Sequence, residues 1–400
     1  MKPAPALIST AGKTGRAASS AATEDSHKSV QTLSLYVHWP YCSRICPYCD
    51  FNVTRDRGQA SQRALFDAIL ADMRRQASGL GPRKLASVFF GGGTPSLLPP
   101  NWVAELITQA RRLFPYTDDI EITLEANPTD AEISRYEGFR AAGINRLSLG
   151  VQSLDDAALK FLGRNHSAAD AIRGIETAQA IFGRVSLDLI YALPGQTLDA
   201  WETELRDAAL LGVEHISPYQ LTIEKTTPFG RAVQRKLWSP PEEELAENFY
   251  FRTQTVLQSL GFDAYEVSNH ARGNAARSAH NVLVWEGIDY MGIGPGAHGR
   301  LTQGGVRYAT VANRDLKAYT DAENPIESEP FSPLEAEEEA AILGLRLSEG
   351  VALSRLPTLN IHGKAAPLIE QGFMELTPDR LCATVKGRVV LDRLLFELLS

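Results

Sequence analysis

From Leu33 to Leu221 the chain repeats one pattern: a short apolar run, a polar turn, then an amphipathic stretch of helical period. The apolar runs are Leu33–His38, Ala86–Phe90, Ile120–Glu125, Arg146–Gly150, Val185–Tyr191 and His215–Leu221. The first intervening stretch, Gln62–Ala77, puts Leu65, Phe66, Ile69, Leu70 and Met73 on one face and predicts a helix. Gly79 and Gly81-Pro82 stop it, and Pro99-Pro100 opens the next helix, over Asn101–Leu113. A helix closing at Ala142 is capped by Gly143, and others are predicted over 155–162, 168–181 and 198–211. Successive strand–helix units of about 30 residues predict parallel strands joined by helical crossovers, in a doubly wound sheet or a barrel. Polar motifs follow each run, at the strand end where parallel barrels carry their sites. The expected fold is α/β: a partial six-stranded (β/α)6 barrel over residues 33–235.

The first strand runs into Tyr36-Val-His-Trp-Pro-Tyr-Cys-Ser-Arg-Ile-Cys-Pro-Tyr-Cys-Asp-Phe51, which holds three of the four cysteines: Cys42, Cys46 and Cys49. The spacing is C-x3-C-x2-C. Three thiolates on one loop can each bind one iron of a cubane cluster, whereas ferredoxin-type sites supply four. The fourth iron is then open to another ligand. A structural zinc site wants four Cys or His ligands, and here only His38 is near, with no second C-x2-C pair. A disulfide framework belongs to small secreted chains.

The remaining sequence sets further bounds. A net charge of −8 argues against a nucleic-acid-binding surface over the whole chain. No window approaches the roughly 18 apolar residues of a membrane span, and clustered thiols fit a reducing, cytoplasmic setting. Residues 1–32 form a polar tail with some transit-peptide character but no apolar signal region, and are expected to be disordered. Residues 236–330 form an extension, with a helix from Pro240 to Leu260 and a strand over Phe262–Val267. Its Gly292-Ile-Gly-Pro-Gly-Ala297 matches a dinucleotide fingerprint by letters, but Gly299, Gly304 and Gly305 follow, so a turn or hairpin is expected. Gly91-Gly-Gly-Thr-Pro-Ser96 lacks the G-K-[ST] of a phosphate loop. Residues 331–400 read as a small winged-helix-like α+β domain, with strands around Met374–Leu376 and Cys382–Thr384 and a closing helix over Gly387–Leu399. With seven Lys and Arg against ten Asp and Glu it suits packing against the barrel or a partner better than DNA. Cys382 is expected as a buried small hydrophobe.

Taken together, the motifs from Leu33 to about Gly299 resemble one branch of the radical S-adenosylmethionine (SAM) superfamily, the oxygen-independent coproporphyrinogen III oxidases and their relatives the heme chaperones. The resemblance implies a [4Fe–4S] cluster on Cys42, Cys46 and Cys49, with SAM on the open iron. It also implies SAM-site roles for Tyr36, for Tyr48 against the adenine, and for Gly92, Gly93, Thr94, Glu125, Gln152, Arg164 and Asp188. A reduced cluster, fed by a flavodoxin or ferredoxin, then splits SAM to a 5′-deoxyadenosyl radical. The decarboxylases continue as C-x3-C-x2-C-x-C; this chain has Phe51 at the last position, as the chaperones do. His280-Asn-Val-Leu-Val-Trp285 resembles the chaperone signature H-N-x-x-Y-W, with Val284 where that has Tyr. His280, Asn281 and Trp285 are thereby implied in heme binding, with His298 and His38 as rival iron ligands. The segment is expected to lie outside the barrel strands. The function implied is delivery of heme to an acceptor, a membrane respiratory protein. Coproporphyrinogen decarboxylation is the alternative, and another radical chemistry, such as heme-degrading methyl transfer, a third.

Overall fold

The computed structural model describes residues 30–56 and 58–400. The expected polar tail therefore lies outside the described residues, except that its last two positions already belong to the first strand. The strands of the expected barrel are β1 (Gln31–Trp39), β2 (Arg83–Gly92), β3 (Tyr116–Ala126), β4 (Arg146–Gln152), β5 (Arg184–Tyr191) and β6 (His215–Gln220), parallel and adjacent in that order.

They belong to a larger sheet. Beyond β6 lie β7 (Asp263–Glu266) and β8 (Asn269–Ala271), with β8 against β6. On the other edge β9 (Asp289–Ile293) pairs parallel with β1 and continues into the antiparallel β10 (His298–Gln303), β11 (Val306–Ala312) and β12 (Ile326–Pro330). The whole is a twelve-stranded sheet. Gly292–Ala297 thus makes the turn of a β9–β10 hairpin rather than a nucleotide loop.

Side chains alternate along a strand, and here the two faces differ in chemistry. Leu33, Leu35 and Val37, Ile122 and Leu124, Leu147 and Leu149, and Leu187 and Leu189 are fully buried in one core under the helices α1 (Gln59–Ser78), α2 (Pro100–Leu113), α3 (Ala168–Ile181) and α4 (Leu198–Leu210). The inner face carries the polar residues. Ser34 pairs in register with Ser87, Ser87 with Glu121, and Ser186 with His215; one step up, Asp188 pairs with Ser217.

Low in this polar bore, Glu121 receives Arg184 at 2.8 Å and faces Arg146 at 3.9 Å. It also accepts the backbone N–H groups of Ala279 and His280, at 3.0 Å each. These begin a short helix, α5 (Ala279–Trp285), capped by Ser278. As expected, this segment lies outside the barrel strands, but it is not free of them. Glu121 draws its N-terminus against the inner face, where His280 is 2% exposed, 2.7 Å from the Ser34 hydroxyl and stacked on Phe89 at 4.7 Å.

Elsewhere the differences are local. The helix before Gly143 is two pieces, Asp130–Ile133 and Tyr136–Ala142, and the closing helix is also split, into Val385–Val389 and Leu391–Leu399. The C-terminal domain has a third strand, Val351–Ala352, beside Arg380–Ala383 and Met374–Leu376, and its own core. Cys382 is only half-buried, its thiol donating to the Glu349 carbonyl at 3.1 Å. The domain docks through α6 (Pro333–Gly344): Leu343 and Leu347 pack on Val284 and Trp285, while Glu339 takes both Arg300 and Arg307.

Removing Glu121 leaves Arg146 and Arg184 without their carboxylate in the bore, so Glu121→Ala is expected to cost about 3–5 kcal/mol. Although burial opposes it, the two arginines hold this carboxyl below its ordinary value. Its contribution is present above the ordinary carboxylate range and lost as pH falls through the depressed native value. Urea unfolding of wild type and Glu121→Ala at neutral and acid pH checks both: the gap between them narrows on acidification.

Candidate functional site

The loop after β1 is closed like a clasp. Tyr41–Cys42 pairs with Thr54–Arg55, and the Thr54 N–H donates to the Pro40 carbonyl at 2.8 Å. Within it the Cys49 N–H donates to the Cys46 carbonyl at 3.2 Å. All four cysteines of the chain are free thiols, and the three of this loop line one cavity of ≈ 470 Å³ at the C-terminal ends of β2 to β6.

Gly92, Gly93, Thr94, Glu125, Gln152, Arg164, Asp188 and Tyr48 line the same cavity. Gly92 sits at φ +109°, and a Cβ there would meet the His38 ring at 2.7 Å; only glycine serves. The Gly92 N–H donates to Glu125 at 3.3 Å. Gln152, at the end of β4, has φ +68°, a left-handed conformation that non-glycine residues adopt at a cost and that clusters at functional sites. Arg164 is the most connected of the group. It donates to the Cys46 sulfur at 3.2 Å, to the Tyr48 hydroxyl at 3.4 Å, to the Gly150 carbonyl at 3.1 Å and to Asn127. Ser148 donates to Asp188 at 3.3 Å.

Tyr36 is placed differently. It lines an adjoining cavity of ≈ 400 Å³, and its hydroxyl lies 3.1 Å from His38 Nδ1. The two cavities share Asp50, Phe51, Gly92, Glu125 and Trp285. His280, His38, His298 and Val284 line the second; Asn281 lines neither, and its buried side-chain carbonyl has no partner among the described residues.

The donor set suits an iron–sulfur cluster. Burial pushes the Cys42 thiol up to about 11 and the Cys49 thiol up to about 12, so free thiolates are disfavoured and cationic iron must displace their protons. Among the described residues no three His, Cys, Asp or Glu are grouped tightly enough for a single metal ion. A four-iron cube takes one thiolate per iron, so its ligands stand apart.

Comparison with known proteins places this geometry. The Radical SAM superfamily profile matches residues 36–208 and the HemN C-terminal domain matches residues 331–390. The chain is 40% identical, over 92% of its length and 88% of the relative's, to the cattle (Bos taurus) protein named radical S-adenosyl methionine domain-containing protein 1, mitochondrial. It is 36% identical to the heme chaperone HemW of Bacillus subtilis, over 80% of this chain and 85% of that one. The solved structure of Escherichia coli coproporphyrinogen III oxidase (HemN), a radical SAM enzyme, shares the fold with a TM-score of 0.77 at 23% identity, over 92% of this chain and 90% of that one. The chain belongs to the radical SAM superfamily, in its HemN-like branch close to HemW. That class works with SAM and an iron–sulfur cluster.

Two site residues escape motif reading. Glu132, buried, accepts from the Asn127 backbone N–H at 2.6 Å and from Ser96; Asn127 in turn holds Arg164. Asn127 stands in Leu-Glu-Ala-Asn-Pro beside Glu125, and Glu132 at a helix start, where an acidic residue has an ordinary helix-end explanation.

Cys46→Ala should abolish cluster iron, read as bound iron and visible absorbance after anaerobic reconstitution, while Cys382→Ala retains full content. Burial, with Asp188 adding to it, pushes Glu125 up to about 7. A cationic ligand pairing with this carboxylate must expel its proton. SAM affinity is therefore expected to rise as pH passes through about 7 and to be flatter in Glu125→Gln, measured by calorimetric titration at several pH values.

Proposed function

We propose that this protein is a heme chaperone: it binds heme beside a SAM-binding [4Fe–4S] site and passes it to an acceptor. The observation that carries this reading is the second cavity. It adjoins the first through Phe51, Glu125 and Trp285, and is walled by Phe51, Phe89, Val284, Trp285 and Leu343. Polar groups, Asp50, Glu125, Glu224 and Glu339 among them, stand between these side chains; the apolar and aromatic part is what a macrocycle face needs. Arg314 lines the same space and offers a guanidinium donor to carboxylates such as heme propionates; Arg300 lines it too, already paired with Glu339. The HemW relatives, named heme chaperones, point the same way.

Each residue then has a physical task. Cys42, Cys46 and Cys49 hold the [4Fe–4S] cluster, with Arg164 beside Cys46 as a fixed positive charge. Gly92, Gly93, Thr94, Glu125, Gln152 and Asp188 seat SAM, and Tyr48, packed on Phe229, closes one end. A reduced cluster supplies one electron to bound SAM. Tyr36 belongs with the heme cavity and with His38 in this scheme. Trp285 is held by the C-terminal domain, with the Arg346 guanidinium 4.3 Å over its ring. Val284, where the chaperone signature has Tyr, offers an apolar wall in place of a hydroxyl. The acceptor class we infer is a membrane respiratory protein, the electron donor a flavodoxin or ferredoxin, and nucleic acid is not a partner. Among the described residues no helix is long and apolar enough to cross a membrane. A reducing compartment suits the clustered thiols; the cytoplasm is our inference, whereas the animal relatives are named mitochondrial.

The test is anaerobic reconstitution followed by two assays on one preparation. Ferric heme titration is expected to saturate with a Soret band, and coproporphyrinogen III with SAM and reductant is expected to stay unconverted. Stoichiometric formation of protoporphyrinogen without heme binding would overturn this reading in favour of the decarboxylase.

A further inference from the structure

We infer that His298, rather than His280 of the HN segment, supplies the imidazole that binds heme iron. This rests on the heme-chaperone reading and names the ligand within it. Three histidines line the second cavity: His38, His280 and His298. His38 is used on both sides, with Nε2 2.9 Å from the Asn52 carbonyl and Nδ1 3.1 Å from the Tyr36 hydroxyl. His280 lies deep against the strands, with Nδ1 2.7 Å from Ser34 and its ring stacked on Phe89 at 4.7 Å and on Tyr36 at 6.2 Å. A porphyrin reaching it would have to part those rings. His298 is half-buried, and neither of its ring nitrogens is engaged by a described residue.

Its position is built, not incidental. The turn before it, Gly294 to Ala297, is fastened to the cysteine loop by Asn52, whose side-chain amide donates to the Pro295 carbonyl at 2.9 Å and the Arg314 carbonyl at 3.0 Å. Gly296, at φ +78°, makes this contact possible, because a Cβ there would meet the Asn52 amide nitrogen at 2.7 Å. The Gly294 N–H is held by the Tyr319 hydroxyl at 2.9 Å. His298 therefore starts β10 at a fixed place on the wall that also carries Arg300 and the exposed Arg314 and Phe51. An apolar ring face, an imidazole that no described residue engages and the Arg314 guanidinium sit on one accessible side. Burial, with Arg300 and Arg314 nearby, keeps the His298 ring below its ordinary pKa, so it presents a lone pair at neutral pH. A ligand near the rim also suits a protein that must release its heme, whereas one sealed behind stacked rings does not.

The experiment is ferric heme titration of reconstituted wild type, His298→Ala, His298→Gln and His280→Ala, with iron–sulfur content and thermal unfolding checked in each. Readouts are the Soret maximum, the affinity, and electron paramagnetic resonance of the heme. Both His298 variants should shift the Soret band and weaken binding by at least about tenfold, since residues that only orient a metal ligand already cost that much. Added imidazole should restore the wild-type spectrum in His298→Ala, and His280→Ala should keep it throughout. Heme bound by wild type with unchanged spectrum and affinity in both His298 variants overturns the assignment and leaves the chaperone reading standing. Loss in His280→Ala alone moves the ligand to His280. Wild type that binds no heme overturns both. His298→Gln keeps the volume and polarity of the site, so a folded protein of that variant decides the matter where the alanine variant does not fold.

Discussion

A single carboxylate in the barrel bore, Glu121, determines what lies above it. Parallel strands buried on both faces are usually apolar throughout, yet here the lower inner face carries Ser34, Ser87, Glu121, Arg146, Ser186 and His215, all buried. Such a set is tolerable only if its members satisfy one another. Glu121 does most of this, neutralising two arginines and taking two helix N–H groups. The result is a floor for the bore. With α5 drawn onto it, the upper inner face is left as space rather than core, and the two cavities occupy that space.

The walls of that space are tied to one another more than to the floor. Glu132 holds Asn127, Asn127 holds Arg164, and Arg164 touches the Cys46 sulfur. On the other side, Asn52 joins the cysteine loop to the β9–β10 turn, and His38 joins it to β1. The loop is thus braced from both flanks by groups that ligate nothing themselves. Such bracing would matter for a cluster held by the three thiols of this loop, because ligand placement would then rest wholly on one short loop.

Much of this was legible in the sequence, for an identifiable reason. Period-two and helical patterns report local burial, so the six barrel strands and their helices were readable within a few residues, as in Ile120-Glu-Ile-Thr-Leu-Glu125, whose polar positions face the bore. The residues that come together in the first cavity were legible as motifs, Tyr36 apart. The path of the His280 segment was not, since it depends on bonds to Glu121 some 158 residues away, which no local pattern encodes. Nor was the extension of the sheet beyond β1. Asp289–Ile293 is a short run ending in glycines, and its parallel pairing with Leu33–Val37 depends on a partner more than 250 residues distant, not on its own composition. The split of the closing helix near Val390 has no glycine or proline to announce it.

Phe51 deserves weight because it stands on the wall common to both cavities and is 38% exposed. Exposed apolar side chains taken singly need no explanation. This one is joined by Ile45, also 38% exposed, on the same loop and on the wall of the first cavity. A cysteine at position 51 would place a fourth thiol beside Cys42, Cys46 and Cys49 and a polar, reactive group on the shared wall. A phenyl ring does neither. It adds apolar surface whose cost to the unliganded protein is recovered when a flat apolar molecule covers it, at roughly 25 cal/mol for each Å² removed from water. The same side chain therefore argues for a large planar ligand at the junction of the cavities and against radical chemistry that depends on a fourth thiol there.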